Sequence, residues 1–234
     1  METFRLQHGR EKGMRLNAVF PLLMLMLVMV SGCRAGEAQA PEDTGEMPYG
    51  EVDFAFFTPR ALPAVVTKAL IIDNEKVVST FRTLDSTQSD PDVVGTWNNT
   101  TYGVGIQFNK VRHPPALMLF CWDSVIDKKT YETRITFSSA LRKKMSVPTG
   151  KDRRGNTAWY KTLLFGLAPE GKVRIWLQNS GPAANMPVKP VKITTLSGDK
   201  LDVCKGITEH PNGYVYYGET PAFVIGKTYP YGNW

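Results

Sequence analysis

Three cysteines and three histidines are the side chains best suited to nucleophilic, acid–base or metal chemistry in this 234-residue sequence. His113 and His210 are each followed directly by proline, and the sequence has neither an HExxH nor a CxxC pattern, so the spacing of a zinc site is missing. Both read as turn residues. The members of a Ser/His/Asp triad converge only in space, but the G-x-S-x-G elbow that would present a nucleophile is absent from the sequence. No G-x-x-x-x-G-K-[ST] phosphate loop occurs, and Gly103-Val104-Gly105 lacks the third glycine and following helix of a dinucleotide loop. The expectation is a protein without catalytic residues, metal or cofactor.

The cysteines carry more information. Arg5, Arg10, Lys12 and Arg15 precede an uncharged apolar run of 13 residues, AVFPLLMLMLVMV, over 18–30. A membrane span needs about 20 residues, so this run reads as a signal-peptide core. It ends in Val30-Ser31-Gly32-Cys33, which resembles a bacterial lipobox: the small residues fit the lipoprotein signal peptidase and the Cys33 thiol is joined to diacylglycerol. Residues 1–32 are then a lipoprotein signal peptide, with Met1 and Met14 both usable as the start. Residues 33–48 are the lipidated cysteine and a flexible tether without hydrophobic periodicity, reaching about 20 Å. Each buried acyl methylene contributes about 0.8 kcal/mol, so the lipid alone suffices as a membrane anchor. Arg34, where enteric-type lipoproteins kept in the inner membrane carry Asp, implies an outer-membrane, periplasm-facing location.

Cleavage before Cys33 removes four of the 28 basic and two of the 22 acidic side chains, lowering the formal charge from +6 to 24 − 20 = +4. Much of the basicity belongs to the leader, and outside the cytoplasm nucleic acid is not an expected partner. Cys121 and Cys204 are then an even pair in an oxidising compartment, readable as a disulfide or as a buried free thiol in an apolar strand. A bridge would close a loop of about 80 residues and stabilise by about 4 kcal/mol in the chain-entropy model.

Two stretches qualify as partner-binding surfaces. Arg142, Lys143, Lys144, Lys151, Arg153 and Arg154 place six cations in 13 positions, opposed only by Asp152. Such a patch meets anionic headgroups or an acidic protein, or is simply a solvated helix end. Tyr214, Tyr216, Tyr217, Phe223, Tyr229, Tyr231 and Trp234 supply a third of the last 21 residues. Aromatics anchor interfaces, stack on sugars, or fill strand cores. Trp234 is expected to dock on the body.

The elements that must position these residues are strands. Hydrophobic content of 42% with 20 Gly and 16 Pro describes a folded, turn-rich chain. Val52, Phe54 and Phe56 alternate with Asp53 and Ala55; residues 65–72 and 76–81 flank an Asp73-Asn74-Glu75 turn. Residues 117–122 form a continuous apolar run fit for a central strand, to pair with the alternating 130–137. Strands over 159–167, 172–177 and 188–196 complete the set, with Pro169-Glu170-Gly171 as a turn. One short helix is expected over 139–145, capped by Ser138 or Ser139 and stopped by Pro148. Residues 85–109 read as a long loop or weak edge strands. The fold class is mainly β, an antiparallel sandwich or flattened barrel with one short helix, as a single domain over 49–234.

The segments VDFAFFTPRALPAVV (52–66), SVIDKKTYETRITFSSALRKKM (124–145), LLFGLAPEGKVRIWL (163–177) and TYPYGNW (228–234) resemble the blocks of the bacterial lipoproteins of domain of unknown function 2931. The resemblance covers about residues 48–234 and is most specific in GLAPEGKVRIWL and YPYGNW. It supplies no catalytic motif. Some members, and similar small lipoproteins, are encoded beside phospholipase effectors of type VI secretion systems. The resemblance therefore implies a binding protein that confers immunity to a lipase effector, the alternative being a general envelope lipoprotein that binds glycan or another envelope protein.

Overall fold

Where apolar and polar side chains alternate along a strand, one face becomes apolar, and two such faces meeting make a core. The computed structural model describes residues 46–59, 62–87, 97, 109–214 and 226–234, without the side chains of 83–87. All of these lie in the compact unit Gly45–Trp234. The leader, Cys33, most of the tether, most of the 85–109 stretch, Tyr216, Tyr217 and Phe223 lie outside the described residues.

Among the described residues twelve strands follow in chain order: β1 (Val52–Phe57), β2 (Ala64–Asp73), β3 (Val78–Thr87), β4 (Lys110–Val111), β5 (Pro115–Ser124), β6 (Lys129–Thr136), β7 (Gly150–Lys151), β8 (Thr157–Ala158), β9 (Tyr160–Ala168), β10 (Lys172–Asn179), β11 (Met186–Pro187) and β12 (Lys192–Ser197). The helix α1 (Ser139–Met145) lies between β6 and β7. One sheet has the order β11-β10-β9-β1-β4, the second β12-β6-β5-β2-β3, and β7 with β8 makes a separate ribbon. The protein is mainly β; among the described residues it is a sandwich of two packed sheets with one α-helix and no closed barrel.

The three expected hairpins form. The β2–β3 turn is tied by Asp73, whose carboxylate accepts the Val77 N–H at 2.9 Å. β5 occupies the centre of its sheet, between β2 and β6. In the β9–β10 turn Glu170 and Gly171 both adopt positive φ, and a Cβ on Gly171 would sit 2.9 Å from the Tyr131 ring, so this corner requires glycine.

Three details differ from expectation. β1 pairs with β9 in parallel, in register from Asp53↔Thr162 to Phe57↔Gly166, while every other strand pairing described is antiparallel. The strand expected from 188 begins only at Lys192, because Pro190 has no N–H for a ladder. Ser138 is the N-cap of α1 by backbone position, but its side chain makes no capping hydrogen bond.

The core joins Phe54, Phe56, Leu163, Phe165, Leu167, Ile175 and Leu177 of the first sheet to Val66, Ile71, Phe120, Trp122, Tyr131 and Ile135 of the second. Phe120 bridges the sheets, with ring centroids 5.0 Å from Phe56 and 5.7 Å from Phe165. Each such side chain contributes about 1.5–3 kcal/mol by burial. Trp122 is fully buried and its indole N–H donates to Thr133 Oγ1 at 3.0 Å, so no polar atom of the ring is stranded.

Beyond β12 the chain folds back over the outer face of the second sheet as a strap, residues 201–214. A disulfide joins Cys204 to Cys121 of β5, with Cα atoms 5.5 Å apart. On one side of it the buried Glu132 accepts the backbone N–H groups of Asp202 and Cys204, at 3.0 and 2.9 Å. On the other, buried Asp123 accepts Thr208 Oγ1, the Glu209 N–H, Thr130 Oγ1 and the Tyr214 hydroxyl, all within 2.9 Å. Two carboxylates that strand alternation reads as solvent-facing are therefore the strap's clamps.

Candidate functional site

Along each strand of the second sheet the residues opposite those in the core face outward, and cross-strand register arranges them in rows. The first row runs Lys192, Thr136, Leu117, Ile72, Val78; the second Thr194, Arg134, Leu119, Leu70, Thr80; the third Leu196, Glu132, Cys121, Lys68, Arg82. The strap covers the third row through the disulfide and Glu132. Beside it the first two rows floor an open groove of about 560 Å³ in which Leu70, Ile72, Leu117 and Leu119 meet Leu196 and Val203. Val78 is 60% exposed and Leu117 43%. A solvent-facing sheet surface alternates to polar residues, whereas this one presents aliphatic side chains across three strands.

The rim is charged. The Arg134 guanidinium bonds both Glu132 Oε1 and Asp202 Oδ2, the latter at 2.8 Å. Burial opposes ionisation of Glu132, but the N–H groups of Cys204 and Asp202 and the Arg134 guanidinium outweigh it and hold the carboxyl below its ordinary value. Lys68, Arg82 and Lys192 surround the aliphatic patch, so the face as a whole is positive. Period-two alternation contains this face, since Leu70, Ile72, Leu117 and Leu119 fall out of phase with the core residues; it could have been found by asking where the second apolar set on each strand goes.

The basic stretch divides in two. Lys143 and Lys144 are exposed on α1, Arg142 is half-buried, and Lys144 Nζ lies 5.6 Å from the Tyr160 ring centroid. Lys151, Arg153 and Arg154 project from the β7–β8 ribbon. Its tip is internally fastened: Asp152 accepts the N–H groups of Arg154 and Asn156, both at 2.8 Å, and the Asn156 side-chain amide at 3.2 Å. The only opposing acid of the stretch is occupied by the loop itself, which leaves the cations outward on a preorganised turn.

The described aromatics of the C-terminal stretch are largely drawn into the body. Among them Trp234 is buried against Leu62 and Ala168, Tyr229 is half-buried in the same cluster, and Tyr231 is exposed, at 51%. Tyr214 sits on Asp123, its hydroxyl pushed above its ordinary value by burial and by that carboxylate's charge. Both described histidines are held by a neighbour. His113 Nδ1 lies 2.8 Å from Asp73 Oδ2 and ties the β4–β5 loop to the β2–β3 turn, while His210 packs on Tyr214 with centroids 4.5 Å apart. Among the described residues no group of three or more His, Cys, Asp or Glu could hold a metal ion, and no helix is long and apolar enough to cross a membrane.

Glu170 brings the two most specific sequence blocks together. Its carboxylate accepts the Gly232 N–H at 2.6 Å and the Trp234 indole N–H at 2.9 Å, and its own N–H donates to Asp127. APEG of the β9–β10 turn and YPYGNW thus form one structural unit. The model of the family described as protein of unknown function DUF2931 matches residues 37–232. The chain belongs to the DUF2931 family. No curated protein and no solved structure matches it. In this DUF2931 protein the family-like blocks 52–66 and 163–177 contain the parallel pair β1–β9, and block 124–145 contains β6 and α1.

Proposed function

We propose that this chain is a lipid-anchored lipoprotein of the cell envelope, facing the periplasm from the outer membrane, that acts by binding a protein partner and performs no catalysis. The partner fitting best with the family resemblance is a lipase effector of a type VI secretion system, neutralised by occlusion of its active site or membrane-docking surface. The observation that supports this reading is the outer face of the second sheet: Val78 and Leu117 exposed, with Ile72, Leu70 and Leu119 half-buried beside them on adjacent strands, bordered by Lys68, Arg82 and Lys192. Apolar surface of this kind on a folded domain marks a contact site, and its positive ring complements a partner whose apolar anchor is bordered by Asp or Glu. An anchor at Cys33 would concentrate the inhibitor on the surface a lipase attacks. Inhibition of this kind needs about 800 Å² of contact on each partner.

A glycan-binding envelope lipoprotein is the weaker reading, since of Tyr229, Tyr231 and Trp234 only Tyr231 offers a ring to stack on. The two separate on one experiment: the purified protein is titrated into the product of the gene beside its own, with a lipase assay alongside. Tight one-to-one binding that abolishes lipase activity is expected. Absence of binding to a folded, active neighbour would refute the immunity reading.

A further inference from the structure

The parallel pairing of β1 with β9 decides where the tether leaves the domain. Because Asp53 is in register with Thr162, both strands begin at the same end of the sandwich. β9 is preceded directly by the β7–β8 ribbon, whose Ala158 stands two residues before Tyr160. The chain entering β1 therefore runs beside the base of that ribbon, and the rings of Tyr49 and Trp159 lie 5.6 Å apart there. Lys144 of α1 rests on the neighbouring Tyr160 ring. Five exposed cations, Lys143, Lys144, Lys151, Arg153 and Arg154, thus lie on the helix and ribbon at the end where the tether enters, with Val147 exposed between them in sequence at 49%. Three acids nearby in the chain are engaged: Asp152 with its own loop, Glu51 with Lys110 at 3.1 Å, and Asp53 with Lys161 at 3.2 Å.

We infer that the ribbon end of the sandwich docks on anionic phospholipid headgroups, with Lys143, Lys144, Lys151, Arg153 and Arg154 as the contact side chains. The inference rests on the lipid anchor at Cys33. From there 13 residues lead to Glu46, a length of chain that spans at most about 45 Å, so the anchor keeps this end within reach of the bilayer. Opposite charge then acts over about 8 Å at physiological salt, and each Lys or Arg at an anionic surface tightens binding about fivefold.

The test uses the lipidated full-length product in vesicles of phosphatidylcholine, with or without phosphatidylglycerol, footprinted with an amine-acylating reagent. Flotation with the vesicles reports the anchor, and acylation rates report the contact, so the two failures are distinguishable. Lys143, Lys144 and Lys151 are expected to react about tenfold more slowly when phosphatidylglycerol is present. Lys128 and Lys172, exposed at the opposite end, serve as controls and keep their rates. High salt should remove the protection, and Arg153→Ala with Arg154→Ala should weaken it. Equal rates on both vesicle types overturn the inference, as does protection that appears only when an acidic protein is added. A chain that fails to float refutes the anchor and, with it, the docking that depends on it.

Discussion

The Glu170 carboxylate accepts the indole N–H of Trp234 across 64 residues of sequence, at 2.9 Å, while Trp234 fills a pocket beside Leu62 and Ala168. Replacing Trp234 by Ala should cost about 3 kcal/mol by loss of a buried ring, and Glu170→Gln about 1 kcal/mol, as one acceptor remains. Chemical denaturation of the two variants measures both.

The Gly232 N–H first, then the Trp234 indole, hold the Glu170 carboxyl below its ordinary value despite some burial. A depressed carboxyl contributes stability above its unfolded-state pKa and loses it as pH falls through the folded value. Glu132, wholly buried under the strap, follows the same sign, held down by the Cys204 and Asp202 N–H groups and Arg134 against the opposing effect of burial. The protein should therefore be at full stability near neutrality and weaken on acidification below the ordinary carboxylate range. Glu132→Gln should be destabilised by about 3 kcal/mol at neutral pH and show a flatter acid profile. An unchanged profile in that variant would remove Glu132 as the source.

The disulfide closes a loop with a sequence separation of 83. Double replacement of Cys121 and Cys204 by Ala should lower unfolding free energy by about 4 kcal/mol, and reductant should do the same to the wild type and nothing to the variant. Strap residues 201–214 should lose hydrogen-exchange protection first.

Gly166 lies where a Cβ would come 2.7 Å from Trp97 Nε1 and 2.8 Å from the Trp176 ring. These rings cover the outer face of the first sheet with Ala55, Phe57 and Leu164, and Arg174 lies over Trp97. Gly166→Ala should cost about 1–3 kcal/mol by overpacking and shift the tryptophan emission.

Local pattern carried the hairpins. Alternation in 130–137 places Tyr131, Thr133, Ile135 and Phe137 inward, and all four are buried. Long-range pairing was not legible, because nothing in VDFAFF names YKTLLFGLA as its parallel neighbour. Two-residue strands such as β4, β7, β8 and β11 are too short for any period. The basic cations were found by composition, but the fastening of Asp152 into its own loop needed coordinates. The aliphatic outer face was hidden for a different reason: a strand with apolar residues on both sides reads as doubly buried, and only the sheet order shows that the strap covers one part of that face and leaves another open. Trp234 illustrates the converse, since an aromatic at a chain end looks available until Glu170 is seen to hold it.

Leu117 stands at the centre of the exposed row, in the central strand, with its backbone held on both sides by β2 and β6. Leu117→Arg changes the surface without touching the core, so folding should survive within about 0.5 kcal/mol. The decisive measurement is the calorimetric affinity of this variant for the lipase-effector partner proposed above, tested with the product of the gene beside its own, against that of the wild type. The account predicts a loss of at least about 30-fold, equivalent to about 2 kcal/mol, as expected for a buried anchor at an interface. Wild-type affinity in a correctly folded Leu117→Arg protein would contradict the assignment of the partner to this face.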